Sequence, residues 1–446
     1  MKGLRLMSER KPRFTRDEAL DYHLGGKIGL ELLKRLKNDC DLSLAYTPGV
    51  AEVCRLIESE PGYVWSHTAK GNTVAVVTDG TAVLGLGDIG ARASIPVMEG
   101  KAVLFKAFAG VDAWPIPLDG VRTNGLTGRS DPGAFIETVS RLAVMYGGIN
   151  IEDVAAPECF EIEDRLRETL DIPVFHDDQH GTAVISLAGL KNYLYLTGKA
   201  IGDIRIVING GGAAGIRIGE LFRYAGARHI LMCDSKGVIH EGRTDLGTKK
   251  RQFAAATPAR TLADAMKGAD VFVGVSKPRL VDTDMVLGMA PDPAVFAMSN
   301  PEPEIMPELV REARVDACIA TGRSDYPNQI NNVLGFPFIF RGALDVRATD
   351  ITMNMKVACS NALADLAREP VPDYICEAYG GVCLEFGRDY LIPKPFDRRV
   401  FIRASAAVAQ AAMEDGVARV QVDIGEYTAE LERKAEGLGK RREEKF

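Results

Sequence analysis

The chain has 446 residues, 46% of them apolar and 26% charged, and a formal net charge of −7. Length and composition describe an ordinary globular protein of two or three domains, and the acidic balance argues against nucleic acid, whose phosphates demand a basic surface. No apolar run approaches the roughly 18 residues of a membrane helix, so a membrane is excluded as a partner too.

The chain begins with basic MKGLRLMSERKPRF, which lacks the apolar stretch of a secretory signal and reads as a solvated tail. The eight cysteines are scattered without CxxC spacing, which suits a reducing compartment, and the expected location is the cytoplasm. Leu20, Leu24, Ile28, Leu32, Leu33 and Leu36 recur at helical spacing and predict a helix over 17–37. Tyr46 precedes a proline turn in Tyr46-Thr47-Pro48-Gly49-Val50, where alone it would be a packing aromatic. Val74–Val77 and Val103–Phe105 predict buried strands, with Asp79-Gly80-Thr81 and the glycine-rich turn Gly85–Gly90 between them. Lys101 thus stands at the entry to a core strand; burial and a nearby dication would lower its pKa and free it as a base, although an isolated lysine more often snorkels at the surface.

Two acidic pairs follow. Glu152-Asp153 comes after Gly148–Ile151, and Asp177-Asp178 after Ile172–Phe175, both at strand ends facing one cleft. Helix N-capping is the commoner use of any one such pair. Together, four carboxylates offer a set of oxygen ligands suited to Mg²⁺ or Mn²⁺. His176 and His180 are four apart and invite a zinc reading, which fails for want of further His or Cys in a ligand pattern, and the helix here is expected to begin near Gln179.

From Ile204 the chain alternates strand and helix, with strands at Ile204–Ile208, His229–Cys233, Val271–Val275, Val295–Met298 and Ala317–Ala320. That rhythm predicts an α/β fold with a doubly wound parallel sheet of Rossmann type. Gly210-Gly211-Gly212-Ala213-Ala214-Gly215 follows the first of these strands and opens a helix expected from Ile216, which is the context of a dinucleotide site. Gly210 permits the turn, Gly212 lets a pyrophosphate approach, and Gly215 allows close packing of the helix. Asp234 ends the next strand, where a carboxylate would bind ribose and favour NAD; Ser235 and Lys236 could instead accept the 2′-phosphate of NADP, so the coenzyme stays open. After Gly342 the chain turns helical, clearest in Ala358–Ala367 and Val400–Met413 around an irregular Pro393–Pro395 connection, and about 100 residues without strands are expected to pack back on the first domain. The last charges, Lys440 to Lys445, read as a fraying tail.

These residues resemble the malic enzymes, specifically the short bacterial type. The likeness is carried by Ala45–Val50, Val83–Gly90, Pro96–Lys101, Asn150–Asp153, His176–Ala183, the Rossmann glycines, Ser299-Asn300-Pro301 and Asn331-Asn332, in consistent order. The resemblance implies three parts: an N-terminal α/β substrate and metal domain at 1–179, a nicotinamide-binding domain at 180–345 and a C-terminal helical segment at 346–446. It implies Tyr46 as general acid, Lys101 as general base and Glu152, Asp153 and Asp178 as metal ligands, with Asp177 tuning the metal and the lysine. It also implies cofactor contacts from Gly210, Gly212, Ala213, Ala214, Gly215, Asp234, Ser235, Lys236 and Asn300, and substrate contacts from Asn300, Asn331 and Asn332. One departure stands out: where larger members carry an arginine for a substrate carboxylate, this chain has Ala82.

The expected function is metal-dependent oxidative decarboxylation of (S)-malate to pyruvate and CO2 with NAD or NADP, by a homo-oligomer (dimer or tetramer). Malolactic chemistry, in which the keto acid is reduced again before release, is a second enzyme reading. A non-catalytic nicotinamide sensor on the same fold is a third, from a different class; it predicts loss of Tyr46, Lys101 or a metal ligand, and all are present.

Overall fold

In the computed structural model, residues 14–83, 85–125 and 127–444 are described, with side chains to Gly439. The basic tail through Arg13, Leu84 in the glycine-rich turn, and the side chains of the charged C-terminal tail lie outside the described residues. A first parallel sheet contains β1 (Thr73–Thr78), β2 (Asp112–Pro117), β5 (Gly148–Ile151) and β6 (Val174–His176) in the order β2-β1-β5-β6, while β3 (Arg122–Asn124) and β4 (Thr127–Ser130) form a separate hairpin. All six residues of β1, Thr-Val-Ala-Val-Val-Thr, are buried, as expected of a central parallel strand covered on both faces.

The second sheet holds β7 (Arg205–Asn209), β8 (His229–Asp234), β9 (Gly237–Val238), β10 (Val271–Gly274), β11 (Ala294–Ala297) and β12 (Cys318–Thr321) in the order β12-β11-β10-β7-β8-β9. Its pairs are parallel except β8 with the short β9, which gives the Rossmann-type α/β domain. Each strand expected from Ile204 onward is present within a residue or so of its predicted position. The helix Asp177–Thr197 leads from the first sheet to the second; it is buried along most of its length and packs on the Ala213–Tyr224 helix of the second. A helix apolar on all sides belongs in a core, and this one joins the two halves of the molecule.

The C-terminal helices do return to the first domain: Arg419 donates to Asp171 O at 2.6 Å, and Leu438 lies against Gly110. Just before them Phe336 and Phe340, from the Phe336–Asp345 helix, meet Phe105 at ring-centroid distances of 4.7 and 5.4 Å, and Phe340 meets Phe175 at 5.9 Å. Such edge-on pairs contribute about 0.5–1.5 kcal/mol beyond the area they bury.

Two expectations are corrected. The helix predicted over 17–37 ends at His23, because Gly25 and Gly26 adopt left-handed φ of 85° and 81° and the chain continues as an irregular arm. Lys27 docks that arm on a neighbouring helix, its backbone N–H donating to Glu99 and its Nζ to Pro96 O, yet Leu30, Leu32, Leu33 and Leu36 remain exposed. Val103–Phe105, of which only Phe105 is fully buried, belongs to a helix, Gly90–Ala109, closed by Gly110 in the left-handed region. Its buried positions Ala91, Ser94, Met98, Ala102, Phe105 and Ala109 recur at helical spacing, which three apolar residues alone could not reveal. Lys101 therefore projects from the middle of a helix and does not stand at the entry to a strand. Among the described residues no helix is long and apolar enough to cross a membrane.

Candidate active site

The carboxyl ends of β5 and β6 point the two acidic pairs at one place, and the Gly90–Ala109 helix brings Lys101 to meet them. Lys101 Nζ lies 2.5 Å from Asp177 Oδ2 and 2.7 Å from Glu152 Oε1, and 4.2 Å from the centroid of the Phe336 ring. Glu152, Asp153 and Asp178 each offer a carboxylate oxygen, and these oxygens all lie within 4.8 Å of one another. Glu152 and Asp153 are buried and Asp178 is half-buried. Asp153 sits in the left-handed region at φ 54°, which costs a residue with a side chain about 1–3 kcal/mol unless its surroundings impose it. They do: its N–H donates to Asp178 Oδ2 at 2.7 Å and its C=O accepts from Ala82 N–H at 2.9 Å.

The charge balance is one-sided, with four carboxylates against one ammonium. Burial pulls the Lys101 pKa down, but Asp177 and Glu152 outweigh it and hold the ammonium above the ordinary lysine value. Burial acts in the expected direction, and without a dication the carboxylates the lysine was to serve stabilise its proton. Burial raises the pKa of Glu152 well above the usual carboxylate range and that of Asp177 above it, because a single lysine cannot compensate the whole cluster. Excess negative charge on buried oxygen donors fits a hard divalent cation, and the donor set Glu152, Asp153 and Asp178 fits Mg²⁺ or Mn²⁺.

Capping does not account for the second pair. The Asp177 helix has no side-chain cap; Asp177 faces Lys101 and accepts from Asn332 Nδ2 at 3.1 Å. Asn332 Oδ1 in turn accepts from Thr182 at 3.0 Å, whereas Asn331 is spent locally, accepting from the Val333 N–H. A Cβ on Gly181 would lie 2.1 Å from Asp177 Oδ1, so the glycine of the His180-Gly181-Thr182 segment is needed to seat that carboxylate. The helix begins at Asp177, two residues earlier than predicted. The two histidines diverge: His176 is fully buried with neither ring nitrogen hydrogen-bonded, and His180 bonds Glu163 and Lys356.

Tyr46 is not part of this constellation in the single chain. It is 70% exposed at the end of the Asp39–Ala45 helix, and its hydrogen bonds are backbone ones to Leu42 and Val50. Asn300 is half-buried beside Gly322, whose Cβ would lie 2.8 Å from its Nδ2.

The dinucleotide turn behaves as its glycines predict. Gly210 has φ 138°, and a Cβ there would lie 2.6 Å from Val275 O; a Cβ on Gly215 would lie 1.8 Å from Gly210 O. A Cβ on Gly212 would meet nothing within 4 Å, so that residue borders open space at the start of the Ala213 helix, which begins three residues before the predicted Ile216. The helix has no side-chain cap, leaving its first N–H groups to an anion such as pyrophosphate. Asp234, at the end of β8, accepts from Arg243 at 2.8 and 3.1 Å, from Lys250 Nζ at 2.8 Å and from the Lys236 N–H at 3.0 Å. Burial would raise its pKa, but Arg243 and Lys250 pull it down to about 2. Lys236 Nζ itself turns to Asp245 at 2.7 Å. Arg243 and Lys250 escaped the sequence reading; the basic run Lys249-Lys250-Arg251 was the available signal.

Residues 26–167 match the model of the malic enzyme N-terminal domain, and residues 179–374 that of the malic enzyme NAD binding domain. The chain is 55% identical to the NADP-dependent malic enzyme of Halomonas elongata over 91% of this chain and 95% of that one. It is 52% identical to a bifunctional malic/malolactic enzyme of Bacillus subtilis over 95% and 99%. Among solved structures, malic enzyme from Pyrococcus horikoshii superposes with a TM-score of 0.85 at 40% identity, over 96% of this chain and 99% of that one. Against three further NADP-dependent relatives the chain spans 54% to 55% of their length.

Proposed function

The chain belongs to the malic enzyme family, and on that premise we propose that it oxidatively decarboxylates (S)-malate to pyruvate and CO2, reducing NADP or NAD with a bound Mg²⁺ or Mn²⁺. The observation that carries this reading is Lys101 within hydrogen-bonding distance of Asp177 and Glu152, beside the oxygen cluster of Glu152, Asp153 and Asp178. When bound, the cation would polarise the C2 oxygen and the coenzyme would accept the C2 hydride. Lys101 takes the proton from the C2 hydroxyl, and Asp177 holds the lysine in place. Asn300 and Asn332 orient malate and the nicotinamide ribose, with Asn331 at their side. Tyr46 gives a proton to C3 of the enol left by loss of CO2.

A steady-state assay with malate, Mn²⁺ and each coenzyme tests this reading: reduced coenzyme and pyruvate should appear together in equal amounts. Absence of pyruvate would overturn it. Lactate without reduced coenzyme would favour the malolactic reading, which the likeness to a bifunctional malic/malolactic relative keeps alive.

The company of Asp234 points to NADP. Its carboxylate is already matched by Arg243 and Lys250, so a 2′-phosphate would meet cations there, with Ser235 and Lys236 alongside. A hydrogen bond to a charged group contributes about 1.5–3 kcal/mol, roughly 10- to 100-fold in affinity. Arg243→Ala and Lys250→Ala should therefore lower kcat/KM for NADP by that factor and leave NAD largely unaffected; equal losses with both coenzymes would place the adenosine recognition elsewhere.

The protein is further proposed to act in the cytoplasm as a homo-oligomer. Leu30, Leu32, Leu33, Leu36, Leu42, Leu44 and Tyr46 are exposed on one N-terminal arm, an apolar surface that a lone soluble chain rarely leaves in water. Sedimentation equilibrium should return a multiple of 48.3 kDa, and a monomer at micromolar concentration would refute it.

A further inference from the structure

Beside the catalytic carboxylates lies a second charged cluster that the proposed chemistry leaves unused. Glu163, on the Glu158–Thr169 helix, is fully buried. Its Oε1 accepts from the His180 ring Nε2 at 2.7 Å and from the backbone N–H of His176 at 3.3 Å, and its Oε2 accepts from Arg217 at 2.9 Å. Arg217, on the coenzyme-domain helix Ala213–Tyr224, also donates from Nε to Gln179 at 2.8 Å. Lys356, 2% exposed on the Met353–Arg368 helix, places Nζ 3.1 Å from His180 Nδ1. Glu163 thus grips the residue before Asp177-Asp178 directly, and the two residues after them through His180 and Arg217.

The donors and acceptors close into one arrangement. Glu163 can only accept while ionised, and the Lys356 ammonium can only donate. With Lys356 as an ammonium, a neutral ring that carries its proton on Nε2 toward Glu163 and turns its Nδ1 lone pair to Lys356 satisfies both partners. His180, Arg217 and Lys356 hold Glu163 below the usual carboxylate range against its own burial. Burial pulls the Lys356 pKa down to about 7, with Glu163 opposing it and Arg167, Arg217 and Asp350 the other charged groups that bear on it.

We propose that Glu163, His180 and Lys356 form a positioning chain that fixes the turn presenting Asp177 to Lys101 and Asp178 to the cation. The inference rests on the roles given above to those two carboxylates. It assigns a purpose to Lys356, which lies far along the sequence from Lys101 and the acidic pairs, and it ties the C-terminal helices to the chemistry. Outer partners that orient ligating groups typically govern metal affinity by 10- to 100-fold, and misplacement by about 1 Å can cost on the order of 100-fold in rate.

The test uses the full-length protein and the variants His180→Leu, His180→Gln, Lys356→Met and Glu163→Gln. Glutamine offers one donor and one acceptor with about the spacing of the two ring nitrogens, so it can bridge Glu163 and Lys356 where leucine cannot. Free Mn²⁺ is followed by its electron paramagnetic resonance signal, and hydrogen exchange is followed for the amides of 176–182. His180→Leu and Lys356→Met should weaken Mn²⁺ binding by 10- to 100-fold and speed exchange in that segment, with NADP affinity unchanged. His180→Gln should restore both. Folded His180→Leu with wild-type exchange and Mn²⁺ affinity would overturn the proposal, as would a glutamine variant no better than the leucine one. If the leucine and methionine variants fail to fold, Glu163→Gln, close to isosteric, decides by the same two readouts. Should the wild type itself bind no Mn²⁺, the cation assignment falls, and the exchange rates alone still decide the positioning chain.

Discussion

Lys101→Ala should lose malate oxidation by about 10²- to 10⁴-fold, the usual contribution of a positioned general base, while Tyr46→Phe should lose overall turnover and still reduce a pyruvate-like keto acid. In the proposed mechanism the two residues act on different protons. Oxidation at C2 requires the hydroxyl proton to leave, and Lys101 is the amine held next to the carboxylates that organise that step. Its contacts with Asp177 and Glu152 keep it charged in the metal-free arrangement, so its readiness to accept a proton depends on how those carboxylates are otherwise engaged. Protonation of the enol at C3 comes after CO2 has left, and reduction of a keto acid never needs it. Small amines should partly rescue Lys101→Ala by supplying the missing base, and they should do nothing for Tyr46→Phe. Single-turnover formation of reduced coenzyme, recorded alongside enol tautomerisation, separates the steps. If both variants lost the same steps to the same degree, the division of labour would be wrong, and the pair would have to be treated as one coupled acid–base unit. The exposure of Tyr46 on the N-terminal arm adds a condition: its effect should track the assembly that buries that arm.

What the sequence made legible, and what it hid, follows from how far each signal travels along the chain. Val74–Val77 and the strands of the second sheet could be read because buried parallel strands are unbroken runs of β-branched residues. Val103–Phe105 looked the same over three residues, and its helical period emerged only across the whole of Gly90–Ala109. β2, Asp-Ala-Trp-Pro-Ile-Pro, was invisible because two prolines silence the strand signal; it survives as the edge of its sheet, where missing N–H groups do least harm. The polar hairpin of β3 and β4 has no apolar alternation to find. In the site, Glu152, Asp153 and Asp178 stood out because each pair sits at the end of a strand and the strands are neighbours. Lys356, Arg217 and Glu163 gave no such sign: each reads locally as an ordinary helix residue, and only the tertiary structure brings three helices together around His180. Arg243 and Lys250 were hidden by distance along the chain, and Asp234 read alone favoured NAD, where these neighbours favour the proposed NADP.

Removing divalent metal should abolish turnover, and Mn²⁺ or Mg²⁺ should restore it. The argument is electrostatic before it is catalytic. Glu152, Asp153, Asp177 and Asp178 crowd one ammonium, and burial already pushes Glu152 and Asp177 toward protonation. Without a cation, each of these groups that stays ionised repels the carboxylates of a hydroxy acid substrate, and each that is protonated no longer offers a charged ligand. A dication on Glu152, Asp153 and Asp178 returns these groups to their ionised form, so metal affinity should fall as pH drops and the ligands take up protons. Binding should also stabilise the fold, by about 2.7 kcal/mol when the free ion is at 100 times its Kd, which a thermal scan with and without Mn²⁺ would register. Asp153→Asn gives the cleanest single test. Asparagine tolerates the left-handed conformation that residue 153 adopts at φ 54° better than most residues, so the backbone and its bonds to Ala82 and Asp178 can persist while the charged ligand is lost. That variant should fold as the wild type does, lose the thermal shift with Mn²⁺, and lose activity by at least about 100-fold, beyond what outer partners of a metal typically control. Full activity of the chelator-treated protein, or an Asp153→Asn variant with unaltered Mn²⁺ dependence, would remove the metal from this site and with it the chemistry built on the acidic pairs.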